Sequence, residues 1–258
     1  MADPKEIEAL ANESGNNFHC RVINAVKALE WEVLVSPYYM DAATDKPREI
    51  DLIAERYWKY EDRFERKYGA IVFRLFIECK YIAQPTVFWF AQKNTTAATE
   101  WLTTYSPLRK ENMFTAQHHY LAASPKVAKL FASKNKPNTE NEAMYKALNQ
   151  SLNALVYLRG KEPLDENLKN GRIPILAEIE MPVIVCSSFS EFFAVDMDSP
   201  GAPTPITENF QLEVNYAYID TKGARRNEYF LIDVVEFDKL QQYSEMLADD
   251  KSAISRIL

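Results

Sequence analysis

Glu78, Cys79 and Lys80 follow one another at the end of an apolar run, and Asp51 stands upstream of them. In an extended chain Glu78 and Lys80 project from one side while Cys79 points to the other, so a carboxylate and an ammonium enter the same space. Carboxylate oxygens suit Mg²⁺ or Mn²⁺, and such a cation activates water for hydrolysis of a phosphodiester. The lysine would orient that water or offset charge developing on phosphorus. Asp51 would complete the metal site if its strand is an antiparallel neighbour of the strand ending at Lys80.

The same acid-x-lysine spacing recurs at Asp3/Lys5, Glu65/Lys67, Asp220/Lys222 and Asp249/Lys251. Those four sit at a terminus, in a charged connection, at a turn and in a polar tail. Only Glu78 closes an apolar strand, where unpaired charge costs several kcal/mol by rough estimate. The alternative reading is a salt bridge at a strand end, where charges are easily solvated.

The elements that must position these residues follow from hydrophobic patterning. Ile7, Leu10, Phe18, Val22, Val26 and Leu29 recur at helical spacing, interrupted at Ser14-Gly15-Asn16-Asn17, and Asn16 or Asn17 is placed to cap a second helix. Residues 31–35 read as a strand stopped by Pro37, 41–47 as a polar turn, 50–54 as a second strand, and 61–67 as a charged connection. Residues 70–80 read as a central strand covered on both faces, and 86–90 as a fourth strand. The pattern from Thr95 to Arg159 reads as helical, most clearly from Glu140, where Ala143, Ala147, Leu148, Leu152 and Leu155 form a stripe ended by Gly160 and Pro163. Residues 173–237 read as several strands, followed by a short helix from Asp238.

The order helix, strand, Arg48-Glu49-Ile50-Asp51, strand, Glu78-Cys79-Lys80, strand resembles the PD-(D/E)xK superfamily over roughly Glu13 to Ala91. The resemblance implies an α/β fold: a restriction-endonuclease-like mixed β-sheet flanked by helices, with a helical segment and a β-rich C-terminal extension. Residues 1–160 would hold the core and the helical segment, and residues 161–258 an extension packed on or continuing the core sheet. It further implies a nuclease that hydrolyses DNA through metal-activated water, with Asp51 and Glu78 as ligands of Mg²⁺ or Mn²⁺ and Lys80 assisting the water. Many members carry a glutamate in the first helix. Here His19 stands near that position and Glu13 is the nearest carboxylate, which leaves two readings open: an active site with His19 as substitute ligand, or an inactive binding or assembly module. Glu49 and Gln150 are further auxiliaries, the latter because relatives place polar residues beside the cleft.

The net charge of −7 argues against a protein that coats nucleic acid, since such binding depends on many Lys and Arg contacts, yet a catalytic cleft needs only a local basic rim. Lys126, Lys129, Lys134 and Lys136 form the clearest basic cluster, and with Arg48 and Lys93 they are the candidate DNA contacts. His118-His119 cannot both face one metal from a regular helix, Ser187-Ser188 lacks a glycine elbow, and no Gly-rich phosphate loop occurs. Phe88-Trp89-Phe90 reads as core. Three distant cysteines, a polar acidic start and no long apolar run suggest a reduced, cytoplasmic protein without membrane segments, with a homodimer or a protein partner as candidate associations.

Overall fold

The structure is a computed structural model that describes residues 3–13, 15–62, 67–82, 84–133 and 143–258. Helices α1 (Pro4–Glu13) and α2 (Asn16–Ala28) lead into strands β1 (Glu32–Val35), β2 (Tyr38–Asp41), β3 (Lys46–Glu49), β4 (Leu52–Glu61), β5 (Tyr68–Lys80) and β6 (Thr86–Gln92). Then come α3 (Thr95–Thr104), α4 (His119–Ala122), β7 (Lys126–Ser133), α5 (Ala143–Leu158) and α6 (Glu166–Lys169). Strands β8 (Ile175–Cys186), β9 (Phe192–Asp196), β10 (Thr204–Pro205), β11 (Phe210–Ile219) and β12 (Arg225–Glu236) precede α7 (Leu240–Ser255).

The apolar run before Lys80 forms β5, buried continuously from Gly69 to Glu78 because it has a strand on each edge and helices over both faces. On one edge it pairs antiparallel with β4, Leu52 opposite Ile77, and on the other it runs parallel to β8, Glu78 beside Ile184. Where β5 enters this ladder, a Cβ on Gly69 would lie 2.5 Å from the Pro174 carbonyl oxygen and 2.6 Å from Leu176 Cγ, so only glycine fits. Ten strands form one mixed sheet in the order β1-β4-β5-β8-β12-β11-β7-β6-β9-β10, while β2 and β3 make a separate hairpin. The fold is thus mixed α/β, with one large mixed sheet flanked by helices.

Strand alternation sorts the faces. Glu78, Ile184 and Val234 are in register and share one face, which α5 covers through its contacts with β5 and β8. Ile77, Val183 and Asp233 share the other. There Val26, Leu29 and Trp31 meet Leu240 and Tyr243 of α7, and the Trp31 indole donates to Ser244 Oγ at 3.1 Å. At the far end of the sheet the Phe88 ring lies 4.9 Å, centroid to centroid, from both Phe192 and Phe210, so this segment is core.

The sheet continues across residue 160, since β8 lies against β5 and β12 against β8. It also interleaves: β7 pairs with β11, and β6 with β9, which inserts β6 and β7 between strands that come later in the chain.

Several local expectations are corrected. Residues 126–133, expected within a helical stretch, are strand β7, because Val127 and Ala128 are buried between β6 and β11, whose ladders outweigh local preference. The polar turn belongs to the β2–β3 hairpin, in which Asp41 pairs with Lys46. Asn16 and Asn17 lie inside α2, and the capping position is taken by Gly15 at φ 76°, a left-handed conformation that suits glycine. The terminal helix is longer than expected, with 16 residues.

Candidate active site

Asp51 immediately precedes β4 and lies across the ladder from Glu78, so the antiparallel pairing carries it onto the face of Glu78 and Lys80. Its Oδ2 accepts a hydrogen bond from the Cys79 N–H at 2.7 Å, which ties its carboxylate to the end of β5. Its carbonyl is held from two sides, by the Ser36 N–H at 2.9 Å and by His19 Nε2, also at 2.9 Å. With the carbonyl as acceptor, Nε2 carries the proton and donates. His19 therefore acts as an anchor of the Asp51 peptide, and Nε2 is not available as the substitute metal ligand that its position suggested.

Glu78 is wholly buried, at 0% exposure. Lys80 donates to its Oε2 at 3.0 Å, while Oε1 has no hydrogen-bond partner among the described residues. Burial pushes the Glu78 carboxyl up to about 8; Lys80 opposes the rise and Asp51 adds to it. Lys80 also reaches Gln150 Oε1 at 3.5 Å, and Gln150 Nε2 reaches the Glu49 carbonyl at 3.4 Å. Gln150 thus projects from α5 over the strand ends and spans from Lys80 to the residue two before Asp51. The Glu49 carboxylate is occupied elsewhere, lowered by hydrogen bonds from Ser36 and Tyr38.

Asp51, Glu78, Lys80, Gln150, the Glu49 backbone and His19 therefore meet at one place. No family model, curated protein or solved structure matches the chain. The chemical reading of the site rests on its own geometry. The Asp51 and Glu78 carboxylates both lie at the end of β5, and Glu78 has a buried oxygen with no donor among the described residues, so their chemistry fits a hard divalent cation.

The candidate DNA contacts are scattered. Arg48 is half-exposed in β3, with Nε 3.6 Å from Asp41. Lys93 is buried at 6% exposure and donates to the Tyr120 carbonyl at 2.8 Å, so it is not presented to a phosphate backbone. Lys126 is paired with Asp196 and Lys129 with Glu213. Lys134, Lys136 and the Glu13 side chain lie outside the described residues. Among the described residues no helix is long and apolar enough to cross a membrane.

A second polar cluster, on the Asp233 face, escaped sequence reasoning. His118, His119 and Asp250 have ligand atoms within 4.8 Å of one another. The expectation that two consecutive histidines cannot converge assumed a regular helix, but His118 is the extended residue capping α4, at φ −63° and ψ 137°. His119 Nδ1 is paired with Asp250, and its Nε2 lies 3.0 Å from Asp233 Oδ2. Both ring nitrogens therefore carry protons, and His119 is an imidazolium whose pKa the two carboxylates raise to about 10 against the effect of burial. His118 Nδ1 accepts from the Tyr120 N–H at 3.2 Å, which leaves the proton on Nε2. In this pairing neither histidine offers a free lone pair and the cluster is a buried ion network, while His118 Nε2 has no hydrogen-bond partner among the described residues and the three ligand atoms are close enough to hold a metal ion once the ring protons are released. The only sequence hint was the pair of adjacent histidines. Its carboxylates are distant along the chain and could not be inferred.

Proposed function

We propose that the chain is a metal-dependent nuclease of the restriction-endonuclease-like kind, hydrolysing phosphodiester bonds at the Asp51, Glu78 and Lys80 site. The observation that carries this reading is Glu78, a carboxylate buried at the end of the central strand with one oxygen on Lys80 and the other without a donor among the described residues. A strand-end salt bridge alone would leave the second oxygen solvated. Here it is buried beside a second carboxylate, an arrangement that a cation offsets.

Asp51 and Glu78 would hold Mg²⁺ or Mn²⁺, which when bound supplies positive charge to the phosphate and lowers the pKa of water. Lys80 keeps its ammonium at Glu78 Oε2, where it orients the attacking water and stabilises charge on the phosphorane. Gln150 limits the swing of Lys80 from the α5 side. His19 and Ser36 fix the Asp51 carbonyl, so its carboxylate position does not depend on a mobile loop.

The test is cleavage of plasmid and single-stranded DNA by the purified chain with Mg²⁺ or Mn²⁺. Lys80→Ala should lower the rate by about 100-fold or more, the scale of losing one fixed donor. Cutting at the parental rate by that variant would remove the assignment.

The second reading, a catalytically inactive binding or assembly module, draws on His19 being committed to Asp51 and on the paired state of Lys126 and Lys129. It requires no cleavage of any nucleic acid and no change in melting temperature with divalent cations.

A further inference from the structure

On the sheet face opposite the candidate active site, β11, β12, α4 and α7 enclose a cavity of about 230 Å³. Its polar lining includes His119, Gln211 and Asp233, and Tyr243 and Met246 of α7 form its apolar wall. We propose that this cavity is a binding site for a small uncharged heterocycle presenting N–H donors, the chemistry of a free nucleobase.

The requirement for a donor comes from Gln211. Its side chain is buried, its Nε2 donates to Asp233 Oδ1 at 3.3 Å, and its Oε1 has no partner among the described residues. The carboxylate fixes the amide orientation, because a flipped amide would set two acceptors against each other. The unpartnered atom is thus an acceptor, and a buried acceptor without a donor costs roughly 1–3 kcal/mol until a ligand supplies one. The other carboxylate oxygen, Asp233 Oδ2, is already taken by His119 and by the Tyr243 hydroxyl, which donates at 2.8 Å.

The requirement for neutrality comes from the balance of charge. Asp233 and Asp250 are matched by the His119 imidazolium and by Lys93, whose ammonium lies within the field of Asp233. Near the mouth Lys126 pairs with Asp196, and Glu208 with Lys239 at 3.1 Å. A charged ligand would find no uncompensated counter-charge among these residues.

Size and wall chemistry narrow the class. The cavity is smaller than the roughly 300–1,000 Å³ typical of drug-sized ligand pockets. Tyr243 and Met246 offer ring and thioether surface suited to a flat ring. A polyol of similar volume would bury hydroxyls against those walls without partners.

The experiment is calorimetric titration and thermal melting of the full chain with adenine, cytosine and uracil, with inositol as the polyol arm and no divalent cation present. The expected result is saturable binding of at least one base, a melting temperature that rises with its concentration, and loss of both in Gln211→Leu and in Met246→Trp. Met246 is only partly buried, so its replacement fills the cavity and leaves the His119 network intact. The proposal is overturned if no base binds, if inositol binds as well as the bases, or if Met246→Trp binds like the parent. None of these outcomes depends on cleavage, so the nuclease reading stands or falls separately.

Discussion

At position 78 a carboxylate sits where burial favours its neutral form, while the chemistry assigned to it requires the charged one. The folded protein holds the Glu78 proton up to about 8, whereas an unfolded chain releases it near the ordinary value of 4.5. Between those values the folded state binds the extra proton, so this residue's contribution to stability is full below about 4.5 and declines as pH rises toward about 8. Chemical denaturation of the metal-free chain across that window should show the decline, and Glu78→Gln should flatten it. At pH 8 the Gln variant should melt higher than the parent. A bound cation reverses the preference by demanding the carboxylate. Mg²⁺ should therefore raise the melting temperature more at pH 8 than at pH 6, with proton release on binding, and Glu78→Gln should abolish both effects.

Among the elements, α4 and α7 depend on the ion network between them. His119 donates its backbone N–H to Asp250 Oδ1 at 2.8 Å as well as pairing through its ring, so one residue of α7 holds both the backbone and the ring of the first residue of α4. Replacing His119 by Ala strands two buried carboxylates and should lower stability by about 3–5 kcal/mol in urea denaturation. The raised His119 pKa works in the opposite sense to habit for a buried histidine. Its stabilisation is present below 6.5 and is lost only as pH climbs toward about 10. At the start of β5, Gly69→Ala forces a methyl against the Pro174 carbonyl and Leu176, and should cost roughly 1–3 kcal/mol with the helices unchanged by circular dichroism.

These elements were unequally legible. β5 was readable because a strand covered on both faces must be apolar throughout, and the side on which Glu78 and Lys80 project follows from period alone. β7 was not, since Lys126, Val127, Ala128 and Lys129 carry a pattern that becomes a strand only when β6 and β11 flank it. The His119 network was out of reach because its carboxylates lie 114 and 131 residues away along the chain. His19 was picked out by position with its role left open, because whether a ring nitrogen faces a metal or a carbonyl depends on where the Asp51 peptide lies, which no local pattern records.

For the whole molecule, a net charge of −7 combines with basic side chains already engaged, Lys93 in the core and Lys126 and Lys129 in ion pairs. Of the candidate DNA contacts among the described residues, Arg48 alone keeps half of its side chain exposed to displace counterions from a duplex. Without divalent metal, affinity for double-stranded DNA should be weak, and its fall with added salt should correspond to only about one to three phosphate contacts in a salt titration. A slope near that of six to ten contacts would show a basic surface other than the candidate contacts named here.

The interleaved sheet also imposes an order in time. β5 carries Glu78 and Lys80, but its second edge is covered only by β8, and β8 in turn lies beside β12, near the end of the chain. During synthesis, a chain that has already emitted Asp51, Glu78 and Lys80 still lacks the strands that bury them, and the β6–β7 pair has both outer edges open until β9 and β11 follow. The proposed site would thus form only after β8 and β12 have been made, a delay written into strand order. Ribosome-bound chains ending at residue 170 should bind no divalent cation at this site, whereas released chains that include β8 and β12 should.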